Sequence, residues 1–403
     1  MLKSIRAEFP ILSEKVNGKP FIFLDSAASA QKPNSVLEAM TQSVHHCYAN
    51  IHRGLYAMSE KTTEAYENVR RKIAQFINAY DAKEIIFTSN STAGINLLAN
   101  TLGTNLKSGQ KILISELEHH ANIVPWLMLR DRHGVEFRVV PIDDKGDIDL
   151  EIYEAELAKG DIALVAVTHM SNVLGTITPA KKLAQLAHQY GAKILLDASQ
   201  SIVHSFVDVQ DLEADFIVFT GHKLYGPTGV GVLWGRSELL EELPPFMGGG
   251  EMIETVSFES VSWASIPHRF EAGTPPILEV LGLGAVIDFL NKIGRQALLD
   301  HETHLVSYAS EAFGRLKDVT VLGAPQKRGG VFSFVMQRAH PHDLAVLLDQ
   351  QNIAVRAGQH CAEPLINRLG IKATTRASFA LYTTESDIDA LMLGLEKARA
   401  MLV

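Results

Sequence analysis

A chain of 403 residues is too long for one ordinary domain and suits two. With 46% hydrophobic and 21% charged residues it can build a soluble core without a disulfide or metal staple. The net charge of −9, with no block of Lys or Arg, argues against nucleic acid or an anionic membrane as main partner. The two cysteines, Cys47 and Cys361, make neither a disulfide framework nor a four-ligand zinc spacing, so no metal is expected. The start shows no secretory signal, and no apolar run reaches the roughly 18 residues of a membrane span. The expected compartment is a reducing cytoplasm.

From about residue 84 short apolar runs alternate with amphipathic ones. "EIIFTS" predicts a strand, and "AGINLLANTLG" a helix with a glycine stop. "KILIS" is strand-like, "NIVPWLMLRDRHG" a helix closed by Gly134, "EFRVVPI" a strand and "DLEIYEAELAKG" a helix. "IALVAVTH", "AKKLAQLAHQYG" and "KILLDAS" continue the alternation, followed by the apolar runs "FIVFTG" and "VGVLWG". Such a pattern implies an α/β fold with a mostly parallel sheet buried on both faces. After a long helix, "PILEVLGLGAVIDFLNKIG", the strands "GGVFSFVM" and "IAVRAG" and further helices suggest a second, smaller α/β domain. Cys361 lies in "VRAGQHCAEPL", which reads as a loop between Gly358 and Pro364.

Ligands of such sheets sit beyond the strand carboxyl ends. Three runs finish there in polar residues: Asp197 and Gln200; Thr220, His222 and Lys223; and Glu118, His119 and His120. Each alone reads as a solvated loop residue, and Asp197 also as a helix cap. Together they suggest more. A lysine at a buried strand end has its pKa lowered and becomes nucleophilic, suited to a Schiff base with an aldehyde cofactor. Pyridoxal phosphate needs that lysine, a carboxylate such as Asp197 for its ring nitrogen, and a helix N-terminus for its phosphate. "TSNSTAGINLL" offers the helix, with Ser91 and Thr92 at its start, and a flat imidazole such as His120 could stack on the ring.

The sequence resembles the aminotransferase class V family of pyridoxal-phosphate enzymes. Within it, the chain is similar to the group II, SufS-type cysteine desulfurases, also called selenocysteine lyases. The carrying motifs are "LDSAASAQKP", "HRG", "EHHANIVPW", "SNVLGT", "GHKLYGPTGVG", "MGGGEMI", "RFEAGTP" and "RAGQHC", in this order. The resemblance implies the fold type I of pyridoxal-phosphate transferases. Its large domain, with a seven-stranded sheet, would span 22–289, and a small domain of 1–21 and 290–403 would carry the Cys361 loop. Lys223 would be the Schiff-base lysine and Cys361 the persulfide-forming nucleophile. Asp197 would face the ring nitrogen and Gln200 the phenolic oxygen. His120 would stack on the ring and assist proton transfer, while Thr92, Thr220 and His222 would hold the phosphate. Thr274 would reach the phosphate of a partner subunit, which implies a homodimer. Arg376 and Asn172 would clamp the substrate carboxylate, with His52 and Arg356 lining the pocket. The substrate would be L-cysteine, with L-selenocysteine as a second one. The sulfur would pass to an acceptor of SufE or SufU type, for iron–sulfur cluster assembly or other sulfur metabolism.

One departure stands out. The family's usual Arg-Gly-Thr-Thr-Glu run is here Ser89-Asn90-Ser91-Thr92-Ala93, which keeps the threonine but loses the Arg and Glu expected at the subunit interface. His119 reads as structural or exposed beside His120, and Cys47 as helix filler. His360 and Arg356 are both candidates for promoting the Cys361 thiolate. Rival readings are an aminotransferase, a kynureninase-like lyase, a selenocysteine lyase, or a scaffold without chemistry.

Overall fold

In the computed structural model, which describes residues 3–16, 18–107 and 109–401, seven short apolar segments form one central sheet. They are β1 Ile85–Thr88, β2 Lys111–Ser115, β3 Glu136–Val140, β4 Ile162–Thr168, β5 Lys193–Asp197, β6 Phe216–Thr220 and β7 Gly231–Gly235. The order is β1-β7-β6-β5-β4-β2-β3. Only β7 runs antiparallel to its neighbours; the other pairings are parallel. Parallel neighbours need crossovers, and the helices Val124–His133, Leu150–Leu157 and Ala180–Gln189 are among them. Strands β6 and β7 are buried throughout, whereas edge strand β3 is half-exposed. Consequently β1, β2, β4, β5 and β6 all release their carboxyl ends along one edge.

Two glycines act differently from one another. Gly134, at φ 70°, ends the helix Val124–His133 as expected. Gly103 does not end its helix, which runs Ser91–Asn105. A Cβ there would meet Leu129 at 2.3 Å, so this glycine lets two helices approach closely.

A second sheet contains β8 Val319–Val321, β9 Val331–Met336, β10 Arg356–Gly358 and β11 Thr374–Ser378, in the antiparallel order β8-β9-β11-β10. It has its own core, including Leu305, Phe313, Phe332, Phe334 and Leu391. The segment expected as one strand, "IAVRAG", is divided. Ile353–Ala354 pairs in parallel with Ile22–Phe23, and Arg356–Gly358 joins the second sheet. Leu24 packs in the second core and Asp25 bridges to Ser378. The chain therefore returns near its start to lie against its own C-terminal third, and this delivers Asp25 to the seam between the sheets. No helix among the described residues is long and apolar enough to cross a membrane.

Candidate active site

The strand ends of the central sheet and the β10–β11 edge of the second sheet enclose a cavity of about 500 Å³. Asp197, Gln200, Lys223, Thr220, His222, Thr92, Asn172, Arg356, Arg376 and Cys361 all line it. These residues are distant in sequence and converge because the central strands end at one edge and the second sheet brings Arg356, Arg376 and the Cys361 loop against it.

One end of the cavity is built for an anion. Asn90 caps the helix Ser91–Asn105 by accepting from Ala93 N at 2.8 Å, and Asn90, Ser91 and Thr92 face the cavity. The hydroxyl of Thr220 is buried without a hydrogen-bond partner, as is that of Ser199. A buried hydroxyl without a partner is costly unless a ligand supplies one. Burial, with the Lys223 charge, pushes the pKa of His222 down to about 4, so its ring is a neutral donor or acceptor.

The same cavity holds three cationic side chains, Lys223, Arg356 and Arg376. Burial lowers the pKa of Lys223, partly opposed by the charge of Asp197. Arg376 is 2% exposed. It donates to Asn172 O at 3.0 Å and to Asp25 at 3.4 Å, while its Nε has no partner. Arg356 forms a forked pair with Asp25, with contacts of 3.1 and 2.8 Å. Asp25 thus orients both arginines. It was missed in the sequence, although it stands inside the "LDSAASAQKP" motif.

The two adjacent histidines are placed opposite to expectation. His119, not His120, lines the cavity. His119 Nδ1 accepts from Ala121 N at 3.0 Å, which fixes the ring, and burial holds its pKa at about 4. His120 turns to the Cys361 segment: its N–H donates to Cys361 O at 2.7 Å and its Nε2 accepts from Glu363 N at 3.0 Å. The reason is local. His119 has extended backbone at the cap of a 3-10 turn that His120 begins, so the chain bends between the rings.

Cys361 is exposed to the cavity. Both His360 and Cys361 have left-handed backbone, at φ 55° and 54°. Two consecutive non-glycine residues there hold strain that the surroundings must enforce. Asn172 Nδ2 donates to His360 O at 2.8 Å, and His120 holds Cys361 O, so the central-sheet side clamps the loop twice. This contact uses the Asn172 side chain, which was expected at the substrate carboxylate. The loop is short, since β10 ends at Gly358 and a helix starts at Glu363. His360 is not a cation beside the thiol. Burial, with Arg376 and Arg356, pushes its pKa to about 3, and its ring bonds Thr374 Oγ1 at 2.6 Å.

Besides His120, two further expected residues lie outside this cavity. His52 bonds Glu67 at 3.1 Å and packs edge-on against His268, so within one chain it lines no substrate pocket. Thr274 is exposed on the surface. Cys47 ends the helix Asn34–His46, half-buried, and its carbonyl accepts from Thr62.

The aminotransferase class V family matches residues 22–391. The chain is 48% identical over 403 residues to a cysteine desulfurase of Salmonella choleraesuis (strain SC-B67), covering 100% of this chain and 99% of that one. A cysteine desulfurase of Salmonella typhi is equally similar, again 48% over 403 residues. Among solved structures, the cysteine desulfurase CsdA from Escherichia coli, described as S-sulfonic acid, superposes with a TM-score of 0.91 at 38% identity, covering 99% and 98% of the two chains. The apo cysteine desulfurase from Thermococcus onnurineus NA1 gives a TM-score of 0.93 at 37% identity, with 98% of each chain covered. This chain belongs to the aminotransferase class V family.

The family's cofactor, pyridoxal phosphate, fits the donors present. The capped helix and the unpartnered Thr220 hydroxyl suit a phosphate. Lys223 offers the amine and Asp197, 5% exposed, the carboxylate.

Proposed function

We infer that this chain is a cysteine desulfurase, converting L-cysteine to L-alanine and holding the sulfur as a persulfide on Cys361. One observation carries the reading: an exposed thiol, on a strained and doubly clamped loop, shares a cavity with Lys223, Asp197 and Arg376. An aminotransferase or kynureninase-like lyase has no use for that thiol.

Bound pyridoxal phosphate supplies the electron sink that weakens bonds near the substrate Cα. Lys223 would carry the cofactor carbonyl and, once displaced, move the Cα proton, a task its lowered pKa suits. Asp197 would keep the ring nitrogen protonated. His119 takes the ring-facing role expected of His120. Thr92, Thr220, Gln200 and His222 would hold the remaining polar groups of the cofactor. Arg376 and Arg356 would hold the substrate carboxylate, preset by Asp25. The Cys361 thiolate attacks the substrate sulfur. A sulfur–sulfur bond forms, the carbon–sulfur bond breaks, and its electron pair stays with the carbon skeleton, which takes a proton to become alanine. A thiol acceptor then removes the terminal sulfur and regenerates Cys361.

The short, clamped loop supports the group II, SufS-type assignment. A loop held this close presents the sulfur at the cavity and needs an acceptor that reaches in, of SufE or SufU type, for iron–sulfur cluster assembly. L-Selenocysteine fits the same clamp. A homodimer is supported by exposed apolar side chains on one stretch of chain, among them Phe246, Met247, Val256 and Phe258, with Leu55 elsewhere. Thr274, exposed and outside its own cavity, is free to serve a second copy. We place the division into a large unit of 22–289 and a small unit of 1–21 and 290–403, with Ile22–Asp25 as the seam, and assign the chain to the cytoplasm. The test is incubation of the purified holoenzyme with L-cysteine and a reductant. Alanine release in proportion to sulfide supports the reading, and keto-acid formation without alanine rejects it.

A further inference from the structure

Away from the cavity, three segments bring a second set of chemical groups together. His52 follows the first helix, Glu67 lies within the helix Ala57–Phe76, and His268 begins a 3-10 turn. One ligand atom from each lies within 4.8 Å of the other two, and all three side chains are half-buried. His52 Nε2 stands 3.1 Å from Glu67 Oε1. Two ligands of a four-coordinate zinc, with bonds of about 2.0–2.1 Å, stand roughly 3.3 Å apart, so this edge has zinc spacing.

The outer contacts also match a metal site. His52 Nδ1 faces Glu251 Oε2 at 3.6 Å, so the nitrogen not aimed at Glu67 has a carboxylate behind it. Metal-bound histidines are held in this way by a carboxylate on their other nitrogen. Glu67 Oε2 accepts from Arg70 Nε at 2.8 Å, which orients the carboxylate. Arg70 is in turn paired with Glu271 at 2.6 and 2.9 Å, so its charge is already offset. Arg53 pairs with Glu251 at 3.2 Å. The carboxylates Glu67, Glu251 and Glu271 outnumber the guanidiniums Arg53 and Arg70, leaving an excess of negative charge. Among the described residues the His268 ring makes no side-chain hydrogen bond.

We propose that His52, Glu67 and His268 form a binding site for a divalent cation of the zinc class, with water in the fourth position and Glu251 as the carboxylate behind His52. Two nitrogens and one oxygen suit zinc better than magnesium or calcium, which prefer oxygen alone. Binding ties together the loop after the first helix, the second helix and the turn that leads to Thr274. The ion would brace the surface that carries Arg53, Glu251 and Thr274.

The test uses chelator-treated holoenzyme carrying Cys361→Ser, so that the thiol cannot supply a ligand. Cobalt(II) is added and visible difference spectra are recorded, and zinc is then used to compete. The expected result is one cobalt per chain, with intense tetrahedral bands and no thiolate charge-transfer band, displaced by zinc. Glu251→Gln should weaken zinc affinity about 10- to 100-fold. His268→Asn should abolish the bands while melting and circular dichroism show an intact fold. If His268→Asn unfolds, Glu67→Gln must abolish the bands instead. Absence of bands in the parent would overturn the proposal and leave a self-contained ion-pair cluster. Bands of equal strength in folded His268→Asn and Glu67→Gln would also overturn it, by placing the metal at the cofactor.

Discussion

Adjacent residues His119 and His120 divide two tasks, and each substitution should read out only one. His119 faces the cavity, so His119→Ala should shift the absorbance of the bound cofactor. His120→Ala should leave that absorbance unchanged, lower turnover by about 10-fold, and speed amide exchange across residues 359–363. Absorbance spectra and hydrogen exchange on both variants check this. If His120→Ala alone shifted the spectrum, the assignment would be reversed. The dipeptide could not be resolved from sequence, because both rings satisfy the same chemical need. Only the bend between an extended cap and a 3-10 turn separates them. Asp25 was hidden for a related reason, since its partners lie more than 300 residues away in sequence. Asp25→Asn leaves two arginines without their common anchor. It should raise KM for L-cysteine and lower kcat/KM by about 10- to 100-fold, with cofactor content unchanged. Steady-state kinetics decide.

At the scale of elements, the alternating apolar runs made the central sheet legible. Their ends were also legible as the lining of one cavity, because a buried strand has no use for Lys223 or Asp197 at its terminus. Less visible was the role of individual glycines. Gly103 reads as a stop but is a point of close helix contact with Leu129. Gly231 at the start of β7 has a functional reason for its size. A Cβ there would meet Asn90 Cα at 2.6 Å and Ser91 N at 2.9 Å, both backbone atoms that cannot swing away. Gly231→Ala should therefore displace the start of the phosphate-side helix. We expect a loss of cofactor affinity of at least ~10-fold and a destabilisation of about 1–3 kcal/mol. Equilibrium dialysis and thermal melting measure the two. The division of "IAVRAG" between two sheets was illegible because pairing partners, not local pattern, decide where a strand belongs.

For the molecule as a whole, buried histidines contribute to the response to acid. His169 is 5% exposed, its Nδ1 has no partner, and burial pushes its pKa down to about 4. In the unfolded chain a histidine takes its proton near pH 6.5. Between those values the unfolded state binds the proton and the native state does not. Stability is therefore full above about pH 6.5 and is lost as pH falls towards 4. His169 alone contributes a slope of at most ~1.4 kcal/mol per pH unit across that window. His169→Asn should flatten the acid limb of the melting curve relative to the parent protein. An unchanged limb would show that the ring is charged or solvated in the native state.

The proposed chemistry converges on sulfur reaching one atom, Cys361 Sγ. A single-turnover reaction of the holoenzyme with L-cysteine, quenched and digested, gives the mass of the peptide bearing Cys361 alongside alanine per active site. One added sulfur on that peptide, labile to reductant, and one alanine per chain are expected. In Cys361→Ser, with cofactor content intact, the burst of alanine should disappear. Alanine formed at the parent rate by Cys361→Ser, or the added sulfur found on Cys47, would contradict that chemistry.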